Sequence, residues 1–95
     1  MEPDDAEAYF WRGAAYVDSG NLEQAIQDYD KAIEIAPDFV DALINRGASR
    51  DESGDFKGAI EDYSKAIEIR PDNAMAYFNR GNTKFNIDDK NGACE

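Results

Sequence analysis

The chain has 95 residues and carries 10 lysines and arginines against 21 aspartates and glutamates, a net charge of −11. That balance removes the basic side chains on which nucleic-acid affinity rests and opposes binding to an anionic membrane surface, while no apolar run approaches the roughly 20 residues that span a bilayer. Cys94 is the only cysteine and histidine is absent, so an intrachain disulfide, the usual zinc ligand sets and a Ser–His or Cys–His nucleophile are all excluded.

Met1 to Asp5 is acidic and precedes no apolar leader core, so the chain as given carries no secretory signal and fits the cytoplasm. Ala6 to Asp18 then carries Tyr9, Gly13, Tyr16 and Val17 at three-and-four spacing, and predicts a helix near 5–19. Gly20 follows, where a left-handed residue closes a helix, and Asn21 opens the next as its N-cap. Leu22, Ala25, Ile26, Tyr29, Ala32 and Ile33 mark a second helix over 22–35, stopped by Pro37.

The same order then returns 34 residues later. Gly13, Gly47 and Gly81 share one position, as do Arg12, Arg46 and Arg80, and Ala25, Ala59 and Ala93. Tyr29 recurs as Tyr63, Ala32 as Ala66, and Pro3 as Pro37 and Pro71; the stretch 31–35 is repeated intact as 65–69. Helices are therefore expected near 39–53, 56–69 and 73–87, with Gly54 and Asp55 as the second turn. A sixth helix is expected to begin near Lys90, with Asp88 at the turn position and Asp89 as its N-cap. Asp4, Asp38 and Asp72, each following a proline, are the expected N-caps of the first helices.

A fixed period of this length is the sequence sign of a repeat array. The reading Tyr9-x2-Arg12-Gly13-x2-Tyr16, Ala25-x3-Tyr29, Ala32 and Pro37 resembles the tetratricopeptide repeat. Leu43-x2-Arg46-Gly47, Ala59-x3-Tyr63, Ala66 and Pro71 form a second copy, and Tyr77-x2-Arg80-Gly81 begins a third. The resemblance implies an all-α, right-handed solenoid of antiparallel helix pairs. It forms a single array over 1–95, with repeat one over about 6–39, repeat two over 40–73 and a partial third over 74–95. It implies a non-catalytic protein–protein interaction module. The alternative is a structural spacer or self-association segment of a longer repeat protein, associating through an incomplete C-terminal end where Ala93 and Cys94 lie.

Two sets of substitutions depart from the family pattern. The family's usual leucine is replaced by Arg12, Arg46 and Arg80, and a partly buried arginine needs a partner. Asp28 and Asp62 are the candidates, paired either within a repeat (Arg12 with Asp28) or between repeats (Asp28 with Arg46). Gly13 and Gly47 are expected to face Ala25 and Ala59 so that the paired backbones approach closely. Arg50 and Lys84 replace the tyrosine that Tyr16 represents in repeat one.

The first helix of each pair lines the concave groove in the resembled family. The matching candidates are Phe10, Trp11 and Ala14, then Ile44, Asn45, Ala48, Asp51 and Glu52, then Phe78, Asn79, Asn82 and Phe85. Tyr9, Phe10 and Trp11 are consecutive and cannot all face one core, so at least one should be an exposed anchor. The asparagines both donate and accept hydrogen bonds, which suits the backbone of an extended peptide. Family members that clamp the acidic C-terminal peptides of heat-shock chaperones use Lys and Asn in repeat one, Asn in repeat two, and Lys and Arg in repeat three. The matching positions are Phe10, Ala14, Asn45, Met75 and Asn79, and only Asn45 agrees. That mismatch argues against the clamp and, with Asp18, Asp41, Asp51 and Glu52, favours a neutral or basic protein or peptide partner. Carboxylates otherwise fall at caps and solvent faces, EF-hand spacing is missing, and the glycines sit at turns and packing points. No enzyme activity, metal or cofactor is expected.

Overall fold

The computed structural model describes residues 5–90, with side chains described through Asp88. The periodic apolar positions fold into α1 (Ala6–Asp18), α2 (Leu22–Ile35), α3 (Val40–Glu52), α4 (Phe56–Ile69) and α5 (Ala74–Lys90). No strand occurs among the described residues. α1 pairs with α2 and α3 with α4, while α3 stacks on α2 and α5 on α4. The outcome is an all-α helical repeat solenoid, elongated at 50 × 29 × 16 Å.

The turns follow from a few residues. Gly20 and Gly54 take φ of +82° and +94°, a region that costs residues with a Cβ about 1–2 kcal/mol. Each lets the chain close a Schellman motif. In the first, Gly20 N–H donates to Val17 and Asn21 N–H to Tyr16; in the second, Gly54 N–H donates to Asp51 and Asp55 N–H to Arg50. Asp88 occupies the same position in the third repeat but brings a Cβ. There the helix does not stop: α5 runs on to Lys90. The expected break at Asp88, and Asp89 as an N-cap, are therefore corrected, and a helix beginning near Lys90 falls outside the described residues.

The first-helix caps also need correction. The N-cap of α1 is Asp5, whose carboxylate accepts from Ala8 N–H at 3.1 Å, and Asn73 does the same for Ala76 N–H at 3.1 Å. The equivalent residue at α3 is Phe39, which has no capping side chain. Asp38 and Asp72 are not caps because each is spent in a turn: Phe39 N–H donates to Ala36 and Asn73 N–H to Arg70. Pro–Asp thus takes the two central positions of a β-turn, where proline's fixed φ is an advantage, and the helix starts one residue later. Asp4 lies outside the described residues. In the second turns, Asp55 accepts from Gly58 N–H at 3.0 Å, whereas Asn21 sits at the N-cap without a side-chain bond.

Two clusters make the core. Tyr29 packs with Phe10, Ala25, Ala32 and Ala42; Tyr63 packs with Leu43, Ile44, Ala59, Ala66 and Ala76. Each cluster takes in one helix pair and the leading alanine of the next repeat, so the repeats share a continuous interior. Gly13 and Gly47 adjoin the tyrosine rings themselves: a Cβ would stand 2.8 Å from Tyr29 and 2.7 Å from Tyr63.

Candidate functional site

The arginines of the first helices organise the interior edge of the array. Arg12 donates from Nε and Nη2 to Asp28 at 2.7 and 2.8 Å, and Arg46 grips Asp62 in the same bidentate way at 2.9 and 2.7 Å. Between repeats Arg46 reaches Asp30, not Asp28, through Nη1 at 2.7 Å. Arg50 adds a third donor to the buried Asp62 at 3.1 Å. Arg80 reaches Ser64, the counterpart of Asp30, at 3.2 Å. Burial opposes the Arg46 charge, but its bonds to Asp62 and Asp30 outweigh that and raise its pKa. The bond to Asp28 raises that of Arg12.

The opposite face is formed by α1, α3 and α5 and holds two adjoining clefts. The first, of about 220 Å³, is lined by Ala14, Val17, Asp18, Tyr29, Asn45, Ala48, Ser49 and Glu52. The second, of about 150 Å³, is lined by Ala48, Asp51, Glu52, Tyr63, Asn79 and Asn82. Ala48 and Glu52 belong to both, so the clefts form one track from repeat to repeat. Short side chains at Ala14 and Ala48 open the floor, amides stand along it, and Asp18, Asp51 and Glu52 make the rim acidic. Asp51 is also tied to α5, accepting from Thr83 at 3.1 Å and from Asn86 at 3.4 Å. A wider hollow, of about 500 Å³, lies between the turns around Asp38–Phe39 and Arg70–Asn73.

Not every candidate belongs to this track. Phe10 is 7% exposed and Ile44 5% exposed; both are core residues, a correction with a clear cause. A first helix is covered by its own partner and also by residues of the next repeat. Phe10 therefore packs on Phe39, with ring centroids 5.0 Å apart, and Ile44 joins the cluster of Ala76. Trp11 is the exposed member of the aromatic trio, at 65%, set edge-on against Phe10; it borders neither cleft but shares the repeat position of Asn45 and Asn79. Phe78 and Phe85 are exposed on α5 and border neither cleft.

Tyr29, Tyr63 and Ser49 reach the cleft walls although the sequence places them in the core or passes over them. The ring of each tyrosine is buried, and burial raises the pKa of Tyr29 and pushes that of Tyr63 up to about 12. Only the rings' spacing opposite Gly13 and Gly47 signals that they cross the helix pair.

Comparison with known proteins places this architecture. A tetratricopeptide repeat profile matches residues 6–39 and a second profile, for a TPR repeat, matches residues 52–88. Among solved structures, MamA is 32% identical with a TM-score of 0.84, over 86% of this chain and 48% of its own. The Arabidopsis OM64 TPR domain is 32% identical with a TM-score of 0.80, over 83% of this chain and 65% of its own. The TPR2AB domain of yeast Sti1, solved in complex with pHSP90, is 27% identical with a TM-score of 0.87, over 98% of this chain and 36% of its own. No curated protein sequence matches. This chain spans about half the length of the MamA chains it resembles. The first profile covers repeat one and the second runs from the end of α3 through α4 into α5, and by these matches the chain belongs to the tetratricopeptide repeat family.

Proposed function

We propose that the chain binds an extended peptide segment of a partner protein along the track formed by α1, α3 and α5. The family is a protein–protein interaction scaffold, and the observation that carries the finer reading is the continuity of the two clefts through Ala48 and Glu52. Alanines leave room for a peptide main chain, and Asn45, Asn79 and Asn82 offer both donors and acceptors to it. Trp11 borders neither cleft, but at the repeat position of Asn45, one repeat earlier, it offers an exposed aromatic anchor to a peptide that runs on beyond them.

The rim decides the charge of the ligand. Asp18, Asp51 and Glu52 favour a neutral or basic segment. The structure of Sti1 with pHSP90 makes an acidic peptide the alternative to weigh. An acidic peptide would need cations where this chain has Phe10, Met75 and Asn79, and an asparagine where it has Ala14. Phe10 is in the core, and Ala14 offers only a methyl group. Fluorescence anisotropy with a basic, a neutral and an acidic peptide series tests the proposal. Basic or neutral peptides should bind, and Trp11→Ala and Asn45→Ala should each weaken them about tenfold, a loss of about 1.4 kcal/mol, with unchanged circular dichroism. Binders that survive both changes would remove the track from consideration.

A further inference from the structure

The two clefts of the track are one arrangement repeated, and they differ in how their polar groups are answered. Moved on by 34 residues, the lining of the first cleft becomes that of the second, except that Thr83 and Asn86, the counterparts of Ser49 and Glu52, do not line the space. They close on Asp51 instead: the Thr83 hydroxyl donates to it at 3.1 Å and the Asn86 amide at 3.4 Å. The second cleft is thus satisfied from within. In the first cleft, Val17 stands at the position of Asp51, and an aliphatic side chain accepts nothing.

Ser49 is left with a hydroxyl that the fold does not use. Its residue is 2% exposed and lines the cleft, and it makes no side-chain hydrogen bond among the described residues, where its counterpart Thr83 does. No side-chain polar atom among those residues is both sealed off and unpartnered, so the Ser49 hydroxyl opens into the cleft volume. Asp18 and Glu52 stand at the mouth, and neither meets a cation among the described residues. Asp18 lies near enough to the Tyr29 hydroxyl to oppose its ionisation. A carboxylate entering here would be repelled by both acids, whereas a cationic N–H group answers all three oxygens at once. We infer that the first cleft is a specificity pocket for one lysine or arginine side chain of the bound segment. Its methylene stem lies along Ala14, Val17 and Ala48, and its charged head donates to Ser49, Asp18 and Glu52. The pocket rests on the peptide-binding reading of the track and fixes the register of the peptide in it.

The probe is a short glycine–serine peptide, blocked at both ends, with a single central guest residue. Added to the isotope-labelled chain up to about 10 mM, a range that reports weak affinities, peptides with a lysine or arginine guest should shift the backbone amides of Val17, Ala48 and Ser49. They should bind at least about tenfold tighter than peptides with norleucine, glutamine or glutamate. Ser49→Ala should weaken the basic guests about tenfold, as loss of a hydrogen bond to a charged group does. Its thermal melt should stay within a few degrees of the parent, because no internal bond is lost, whereas Thr83→Val should melt lower. Val17→Asn keeps the net charge and gives Ser49 and Glu52 an internal partner, as Asp51 serves Thr83 and Asn86. It should close the pocket and abolish the preference for a basic guest, which a diffuse acidic surface would retain. The pocket is overturned, with the track left standing, if α1, α3 and α5 amides shift equally for all guests or the preference survives both variants. A Ser49→Ala melt lowered as far as that of Thr83→Val would overturn it as well. No shift along α1, α3 and α5 with any guest would remove the track and the pocket together.

Discussion

Glycine shows at single-residue resolution how this array is read. Gly47 and Gly81 hold the same repeat position, yet a Cβ at Gly47 would stand 2.7 Å from Tyr63 while one at Gly81 would meet nothing within 4 Å among the described residues. Gly47→Ala should therefore cost about 1–3 kcal/mol through overpacking. Gly81→Ala should be neutral or gain up to about 1 kcal/mol from better helix propensity. Urea unfolding of the two variants checks the contrast; equal losses would mean the tyrosine seat is not what the glycine serves. Tyr63 makes a second residue-scale prediction. Burial favours its neutral form and pushes its pKa up to about 12 from an ordinary value of 10.0. Its contribution to stability is complete below pH 10, and is lost as pH rises towards 12, because the unfolded chain gives up the proton first. Tyr63→Phe should flatten the fall in unfolding free energy over that window, measured by denaturant titration at stepped pH. Neither tyrosine's approach to the groove was legible in the sequence, because periodicity reports which face is apolar and not how far a ring reaches across it.

Helices and their pairings carry the next level. The ranges of α2 and α4 were legible to the residue because asparagine or aspartate before them and proline after them act locally. The starts of α1, α3 and α5 were displaced by one residue, at α3 and α5 because Pro–Asp serves the turn before it can serve the helix. Phe10 and Ile44 were misassigned to the groove for a longer-range reason: what covers them belongs to the following repeat, and spacing within one helix is silent on that. The ion pairs also differ between the two helix pairs. Asp62 is buried and accepts from both Arg46 and Arg50, whose side chains are largely buried, whereas Asp28 serves Arg12, whose side chain is half exposed. Asp62→Ala should therefore destabilise by about 3 kcal/mol, as removal of one member of a buried network does, and Asp28→Ala by about 1 kcal/mol, solvent screening reducing its share. Thermal melts of the two variants decide this, and the reverse order would contradict the burial argument.

At the scale of the whole molecule, the two repeat junctions are fastened on different sides. The first is tied through the second-helix layer, where Arg46 joins Asp30. At the second, Ser64 replaces that carboxylate and the stronger tie moves to the groove, where Asp51 accepts from Thr83 and Asn86. A fastening acts as a pivot, and an array bends most freely on the side away from it. The first junction is therefore expected to hinge at its back and spread the mouth between α1 and α3, and the second to keep α3 and α5 at a set separation. On the proposed reading of the track, its α1–α3 end is expected to stretch around side chains of different bulk and its α3–α5 end to act as a fixed gauge.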